Sequence, residues 1–288
     1  MRVPDEITKC VVFLCLRKEE NGQIDHPYKG TGFWVGVPSE TGPGHHLYLV
    51  TAKHVVTGAT GCGNLHVRVN QHPVSPECDT LGGNVEYIPI ESDWTFSEGS
   101  IDIAVIPFRL PADRFDFKFL SLSMFLTDET IRDNQIGIGD DLIVTGLFSR
   151  RPGLERNLPI VRGGILAAMD TEEMYDEGKP YDAYLAEVRS IGGLSGSPVF
   201  VNLSSGRTLD GTTQVNHGGF FLLGLVRGSW RLMSYGGGIS RDEFDALNYG
   251  ITIVTPARQL RDVLFGESLM KERAAADQLR LRQSSSIV

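Results

Sequence analysis

Gly193-Leu194-Ser195-Gly196-Ser197-Pro198, followed by Val199-Phe200, is the stretch that decides the fold. Glycines flank a serine there, so the backbone can turn tightly and expose the serine oxygen while aiming the N–H groups of Gly193 and Ser195 at one point. Two convergent N–H groups can hold an oxyanion. The same composition also suits an ordinary turn. What separates the two readings is whether a base and an orienting acid occur elsewhere in the chain.

Upstream, Leu47-Tyr48-Leu49-Val50-Thr51-Ala52-Lys53-His54-Val55-Val56 is a β-rich apolar run ending at a histidine among small and branched residues. Taken alone, His54 reads as a structural or solvated histidine, and the flanking pattern is what turns the reading toward a base. Between the two segments, Ser100-Ile101-Asp102-Ile103-Ala104-Val105-Ile106-Pro107 sets one carboxylate into a strand signature. Burying it costs several kcal/mol unless a charged or hydrogen-bonding group meets it, and an imidazole N–H is a suitable partner. An edge position facing water is the other reading of Asp102.

The three residues run in the order His54, Asp102, Ser195. Hydrolases with a Gly-x-Ser-x-Gly elbow run Ser, Asp, His, and here the fifth elbow position is Ser197, which excludes that class. The nucleophile run resembles that of trypsin-like serine proteases, and Thr51-Ala52-Lys53-His54 resembles their Thr-Ala-Ala-His segment. Together the three motifs, spread over most of the chain, resemble the chymotrypsin-like superfamily, in its bacterial trypsin-like peptidase form. The resemblance implies an all-β fold of two six-stranded antiparallel β-barrels, a chymotrypsin-like double barrel, with a C-terminal helix. It implies a serine endopeptidase with Ser195 as nucleophile, His54 as base, Asp102 as orienting acid and the Gly193 and Ser195 N–H groups as oxyanion hole. Such chemistry needs no metal or organic cofactor, and its partner is a protein or peptide substrate.

Two departures from the family pattern stand out. Zymogen-activated members carry an aspartate before the nucleophile, which pairs with a new N-terminus; Leu194 cannot form that pair, so activation by N-terminal cleavage is not expected. Animal digestive relatives place the residue at the base of the primary pocket six positions before the nucleophile, here Arg189, and line its wall with a Ser-Trp-Gly strand, here Val226-Arg227-Gly228-Ser229-Trp230. Arg189, Arg227 and Gly228 are the resulting substrate-binding candidates, and an arginine facing the pocket would favour acidic residues before the scissile bond. Solvated arginines, or arginines paired with Glu187, are the alternative. Arg227 also replaces a serine that in many relatives supports the triad aspartate.

The 288 residues, 41% of them hydrophobic, suffice for a substantial core. A formal net charge of −9 argues against a nucleic-acid surface. Cys10, Cys15, Cys62 and Cys78 lack metal-type spacing, and the simpler reading is a reduced, cytoplasmic protein. Val11-Val12-Phe13-Leu14-Cys15-Leu16 is too short and too soon followed by charges to be a signal segment, and no run is long enough to span a membrane. Adjacent His45 and His46 read as a solvated loop rather than a metal site. The acidic stretch from Asp170 to Asp176 reads as a surface loop.

Short β-signatures at 9–16, 31–36, 46–52, 64–69, 101–106, 142–147, 159–166, 183–189, 197–201, 219–226 and 249–254 alternate with turn-forming clusters, as in barrels or sandwiches. The expected organisation is an N-terminal barrel at 1–115 carrying His54 and Asp102, and a C-terminal barrel at 116–266 carrying Ser195. A helical or flexible tail follows at 267–288. Pro256 suits a helix start, and Ala257 through Leu264 the helix. The residues after Gly266 are too few for the peptide-binding module of the high-temperature-requirement family. They read as a fraying helix, or as a docking helix for a regulatory protein partner. Two rival functions stay open: a non-catalytic binding domain that keeps the fold, and a protease released by a partner.

Overall fold

The computed structural model describes residues 2–73, 84–169, 174–176, 179–189, 192–203, 207–209, 212–214, 219–229 and 250–285. Cys78, residues 170–173 of the acidic stretch and Trp230 lie outside them. In the first half the strands are β1 (Val11–Leu16), β2 (Lys18–Glu20), β3 (Gln23–Asp25), β4 (Tyr28–Pro38) and β5 (His45–Thr51), then β6 (Leu65–Asn70), β7 (Val85–Pro89), β8 (Thr95–Phe96), β9 (Ala104–Pro107) and β10 (Leu120–Ser121). The second half holds β11 (Asp141–Gly146), β12 (Ile160–Ala168), β13 (Met174–Asp176), β14 (Lys179–Tyr181) and β15 (Tyr184–Glu187), then β16 (Pro198–Leu203), β17 (Arg207–Leu209), β18 (Thr212–Gln214), β19 (Gly219–Ser229) and β20 (Ile251–Pro256).

The architecture is all-β with a C-terminal helix, as expected, and the second half is the expected six-stranded antiparallel barrel; the first half, expected as a second such barrel, is instead an eight-stranded sheet with one parallel strand, β10. An eight-stranded sheet in order β7-β6-β1-β4-β5-β9-β8, with β10 added to β4, occupies the first half, and β11-β12-β15-β20-β19-β16 close into a barrel in the second. β1 is buried at every position, which is why its sequence is a continuous apolar run rather than an alternating one. β12 lies at the barrel surface and alternates between more and less exposed positions with the period of two that a pleated strand imposes. The chain leaves the first sheet after Ser121 and reaches the second half at Phe125, which bridges to Leu222 on β19.

Leu194 shows how the nucleophile loop is anchored. Its side chain is 1% exposed and packs in the second-half core with Leu126, Leu142, Leu166 and Val199. Truncating a leucine so placed costs about 2–5 kcal/mol. Cys10 and Cys15 are buried free thiols; burial pushes both up, Cys15 to about 12 against the lowering charge of Arg68, so both stay protonated at neutral pH.

The C-terminal segment is a docked helix, Glu267–Ser285, rather than a loose tail. Leu269 joins the first-half core alongside Leu260 and Leu264 of the preceding helix, Ala257–Leu264. Arg273 is buried and donates to the Tyr48 hydroxyl (3.0 Å) and the Leu264 carbonyl (2.7 Å). Asp277, also buried, accepts from Ser39 Oγ (2.7 Å) and from the Glu40 N–H (3.2 Å), and meets His46 Nε2 at 3.0 Å. His46 is therefore an anchor for this helix, not part of a solvated loop.

Burial alone would raise the Asp277 pKa, but the hydrogen bonds from Ser39 and Glu40 and the nearby His46 outweigh it and hold the carboxyl below its usual range. A lowered folded-state pKa stabilises above the unfolded value, about 3.9, and that stabilisation disappears as pH falls through the folded value. Wild-type stability is thus expected to drop below about pH 4 with a component that Asp277→Asn lacks. Thermal melting of both proteins between neutral and acid pH checks it, and parallel curves would remove Asp277 from the acid transition.

Candidate active site

His54 sits in the first turn of the short helix Lys53–Thr57, which starts where β5 ends. Asp102 lies just before β9, in a connection rather than in the strand its sequence suggested. The carboxylate receives the histidine twice: Oδ1 accepts the His54 backbone N–H at 2.9 Å, and Oδ2 lies 2.7 Å from Nδ1. An ionised carboxylate only accepts, so this geometry places the imidazole proton on Nδ1 and leaves Nε2 as an acceptor. Asp102 is 7% exposed, whereas the His54 side chain is 48% exposed and open to an incoming group.

Ser97 fixes the aspartate connection. Its hydroxyl lies 2.7 Å from the Ile101 carbonyl and 3.2 Å from that of Ile103, and it accepts the Ile103 N–H at 3.1 Å. A side-chain hydroxyl thereby ties down the backbone on both sides of Asp102.

The nucleophile loop turns as its glycines permit, with Gly193 at φ +103° and Gly196 at φ +82°. Gly196 N–H donates to Val226 (2.8 Å) and Ser197 N–H to Leu194 (2.9 Å), closing the turn. Among the described residues, the N–H groups of Gly193 and Ser195 donate to nothing. Backbone donors in folded chains are nearly always paired, so two unpaired ones in a single turn are available to an acceptor from outside. No hydrogen bond joins Ser195 Oγ to His54 Nε2 among the described residues.

Thr31 on β4 joins the two halves at this loop. Its N–H donates to the Ser195 carbonyl (2.9 Å), and its hydroxyl donates to the Gly193 carbonyl (2.8 Å) while accepting the Leu147 N–H (2.9 Å). The Thr31 carbonyl accepts from Thr51 Oγ1 (2.7 Å), three residues before His54. The neighbouring Gly30 has no room for a side chain: a Cβ there would lie 2.9 Å from both the Ser195 carbonyl and a Val55 methyl. The backbone around Ser195 therefore packs directly against the His54 segment.

Arg227 is half-buried. It donates to the Ser100 carbonyl at 2.8 Å and lies over the Tyr181 ring at 4.1 Å from the centroid. The Ser100 hydroxyl in turn donates to the Pro180 carbonyl. The arginine thus links the Ser100 carbonyl, two residues before Asp102, to β19 and to Tyr181 on β14. Arg189 is exposed and, among the described residues, makes no hydrogen bond or ion pair, including with Glu187. At Gly228 an added Cβ would meet nothing within 4 Å among the described residues.

Thr31 and Ser97 carry no sequence signal comparable to the glycine-rich loop. Thr31-Gly32 was legible as the start of a strand, and only the fold shows which hydroxyl meets which carbonyl. Among the described residues no cluster of His, Cys, Asp or Glu could hold a metal ion, and no helix is long and apolar enough to cross a membrane.

No family model matches this sequence, and no curated protein matches it. Among solved structures, the chain is similar to the crystal structure of the MamO protease domain from Magnetospirillum magneticum in its apo form. The TM-score is 0.51 at 14% sequence identity, over 91% of this chain and 98% of that one. Likeness at that identity speaks for the fold, and the fold in common is that of a chymotrypsin-like protease domain.

Proposed function

We propose that this chain is a serine endopeptidase acting through an acyl-enzyme. The observation that carries the reading is the doubly hydrogen-bonded His54–Asp102 pair beside a loop with two unengaged N–H donors, with Thr31 tying that loop to the His54 segment. Ser195 Oγ attacks the scissile carbonyl carbon and passes its proton to His54 Nε2. The carbonyl oxygen becomes an oxyanion held by the Gly193 and Ser195 N–H groups. Breakage of the C–N bond follows, with the proton on Nε2 going to the leaving amine. Water, deprotonated by the same imidazole, then hydrolyses the ester. Asp102 keeps the Nδ1 tautomer and stabilises the imidazolium. Leu194, held in the apolar core, positions the loop without an ion pair, so the enzyme needs no N-terminal cleavage to assemble its site. Arg189 is the residue that would receive an acidic side chain before the cut.

A second reading, a non-catalytic domain that keeps the fold, draws on the missing Ser195–His54 hydrogen bond. Such bonds are often long before substrate binds, which leaves the enzyme reading ahead. The test is labelling with a fluorophosphonate, which traps an activated serine. Wild type is expected to label and Ser195→Ala to stay unlabelled; a wild type that does not label, or a variant that does, overturns the proposal. Cleavage profiling across a peptide library on the same preparation reads Arg189, and a preference for basic residues before the cut would remove it from the pocket.

A further inference from the structure

Arg68 on β6 is 1% exposed, and among the described residues no carboxylate pairs with it. A buried cation without a counter-ion is costly unless its donors are met. Here oxygens of the β11–β12 connection, which belongs to the other half of the molecule, meet both terminal nitrogens, while Nε makes no hydrogen bond among the described residues. One terminal nitrogen donates to the Pro152 carbonyl (3.2 Å) and Asn157 Oδ1 (2.8 Å), and the other to the carbonyls of Gly153 (2.8 Å) and Leu154 (2.9 Å). Asn157 answers by donating its side-chain amide to the Arg68 carbonyl (2.7 Å) and its N–H to Asn70 Oδ1 (2.6 Å). The connection is bent to suit: Gly153 is at φ +89°, and a Cβ there would lie 2.0 Å from the Arg156 carbonyl. Three successive carbonyls turned to one guanidinium make a clamp across the two halves.

The clamped connection begins at the nucleophile loop. Leu147 packs against Gly193, and Ser149 Oγ donates to the Gly192 carbonyl at 3.1 Å. That carbonyl and the Gly193 N–H belong to the same planar peptide, so they point in opposite directions. Holding the oxygen on the Ser149 side keeps the N–H turned to the other side, available to an oxyanion. We infer that Arg68 is a positioning residue for the oxyanion hole, acting through the β11–β12 connection and Ser149 on the Gly192–Gly193 peptide. The inference rests on the endopeptidase reading for its kinetic consequence, though not for its structural one.

The experiment compares wild type with Arg68→Met, an apolar residue of similar reach, and with Ser149→Ala, which lies at the surface. Three readouts are taken: kcat and KM on a peptide, affinity for a peptide aldehyde whose serine adduct carries an oxyanion, and amide hydrogen exchange over 147–151 and 192–195. Both variants are expected to lose about 10- to 100-fold in kcat and in aldehyde affinity, short of the 10²–10³ typical when an oxyanion donor is removed outright. KM should stay within about threefold, and exchange should accelerate in both segments. The double variant should lose no more than the worse single one, because both act on one peptide. A well-folded Arg68→Met with wild-type kcat and exchange overturns the inference, as does a loss that falls on KM alone. Should Arg68→Met fail to fold, Asn157→Ala loosens the same clamp from the connection side and is judged by the same criteria. Faster exchange at 192–195 in a wild-type-like fold, with no hydrolysis by any protein, would uphold the clamp and sink the endopeptidase reading instead.

Discussion

Asp102→Asn is expected to lower kcat on a peptide substrate by about 10⁴-fold while leaving thermal melting close to wild type. The carboxylate offers one oxygen to the His54 backbone N–H and the other to Nδ1. Asparagine has the same shape, so it can keep the first contact by turning its oxygen to the backbone. Its amide NH₂ then faces Nδ1 and can only donate. The imidazole must answer as an acceptor at Nδ1, which moves its proton to Nε2, the atom that has to receive the Ser195 proton. Because both contacts remain hydrogen bonds, the connection held by Ser97 is not disturbed and stability is spared. Kinetics and melting on one preparation check this. A variant within tenfold of wild type would show that His54 does not depend on Asp102 for its tautomer, and the base assignment would fall.

The residues that carry the proposed chemistry were legible in the sequence because each breaks its local pattern: a carboxylate in an apolar run, a histidine closing a strand, glycines around a serine. Those that hold them were not. Thr31 lies inside a strand, where threonine is an ordinary β-former, and its role depends on meeting Gly193 and Leu147 across the interface. Arg68 sits inside the strand signature at 64–69 with nothing to mark it, and Arg227 read as a pocket candidate, since sequence does not reveal whether an arginine meets solvent, substrate or carbonyl oxygens. The helix from Glu267 to Ser285 looked loose because its apolar stripe is thin. Besides Leu269 in the core, its attachment comes from Arg273 and Asp277, two charged residues that composition assigns to water. All these cases share one physical cause: a polar side chain's role is set by partners distant in the chain.

Gly196→Ala is expected to destabilise the fold by several kcal/mol and to cut activity by two orders of magnitude or more, because this glycine packs directly against the Thr31 and Thr51–Ala52 segments of the other half. At φ +82° an L-residue costs about 1–2 kcal/mol before any contact is considered. A Cβ would also lie 2.3 Å from the Thr31 carbonyl, 2.3 Å from Thr51 Oγ1 and 3.0 Å from the Ala52 N. None of these atoms ends a flexible side chain. Two are backbone, and the third is a buried hydroxyl already bonded to the Thr31 carbonyl. Relief has to come from moving the nucleophile loop away from the His54 segment, which stretches the Thr31–Ser195 and Gly196–Val226 hydrogen bonds. A shift of about 1 Å between nucleophile and base is enough for a 10²-fold loss. Gly192→Ala supplies the contrast within the same loop, since among the described residues a Cβ there meets only Ser149 Oγ at 3.7 Å, ordinary contact. Melting temperature and kcat/KM are measured for both variants. Should Gly196→Ala melt and react like Gly192→Ala, the two halves do not meet at this glycine, and the packing of Ser195 against the His54 segment loses its basis.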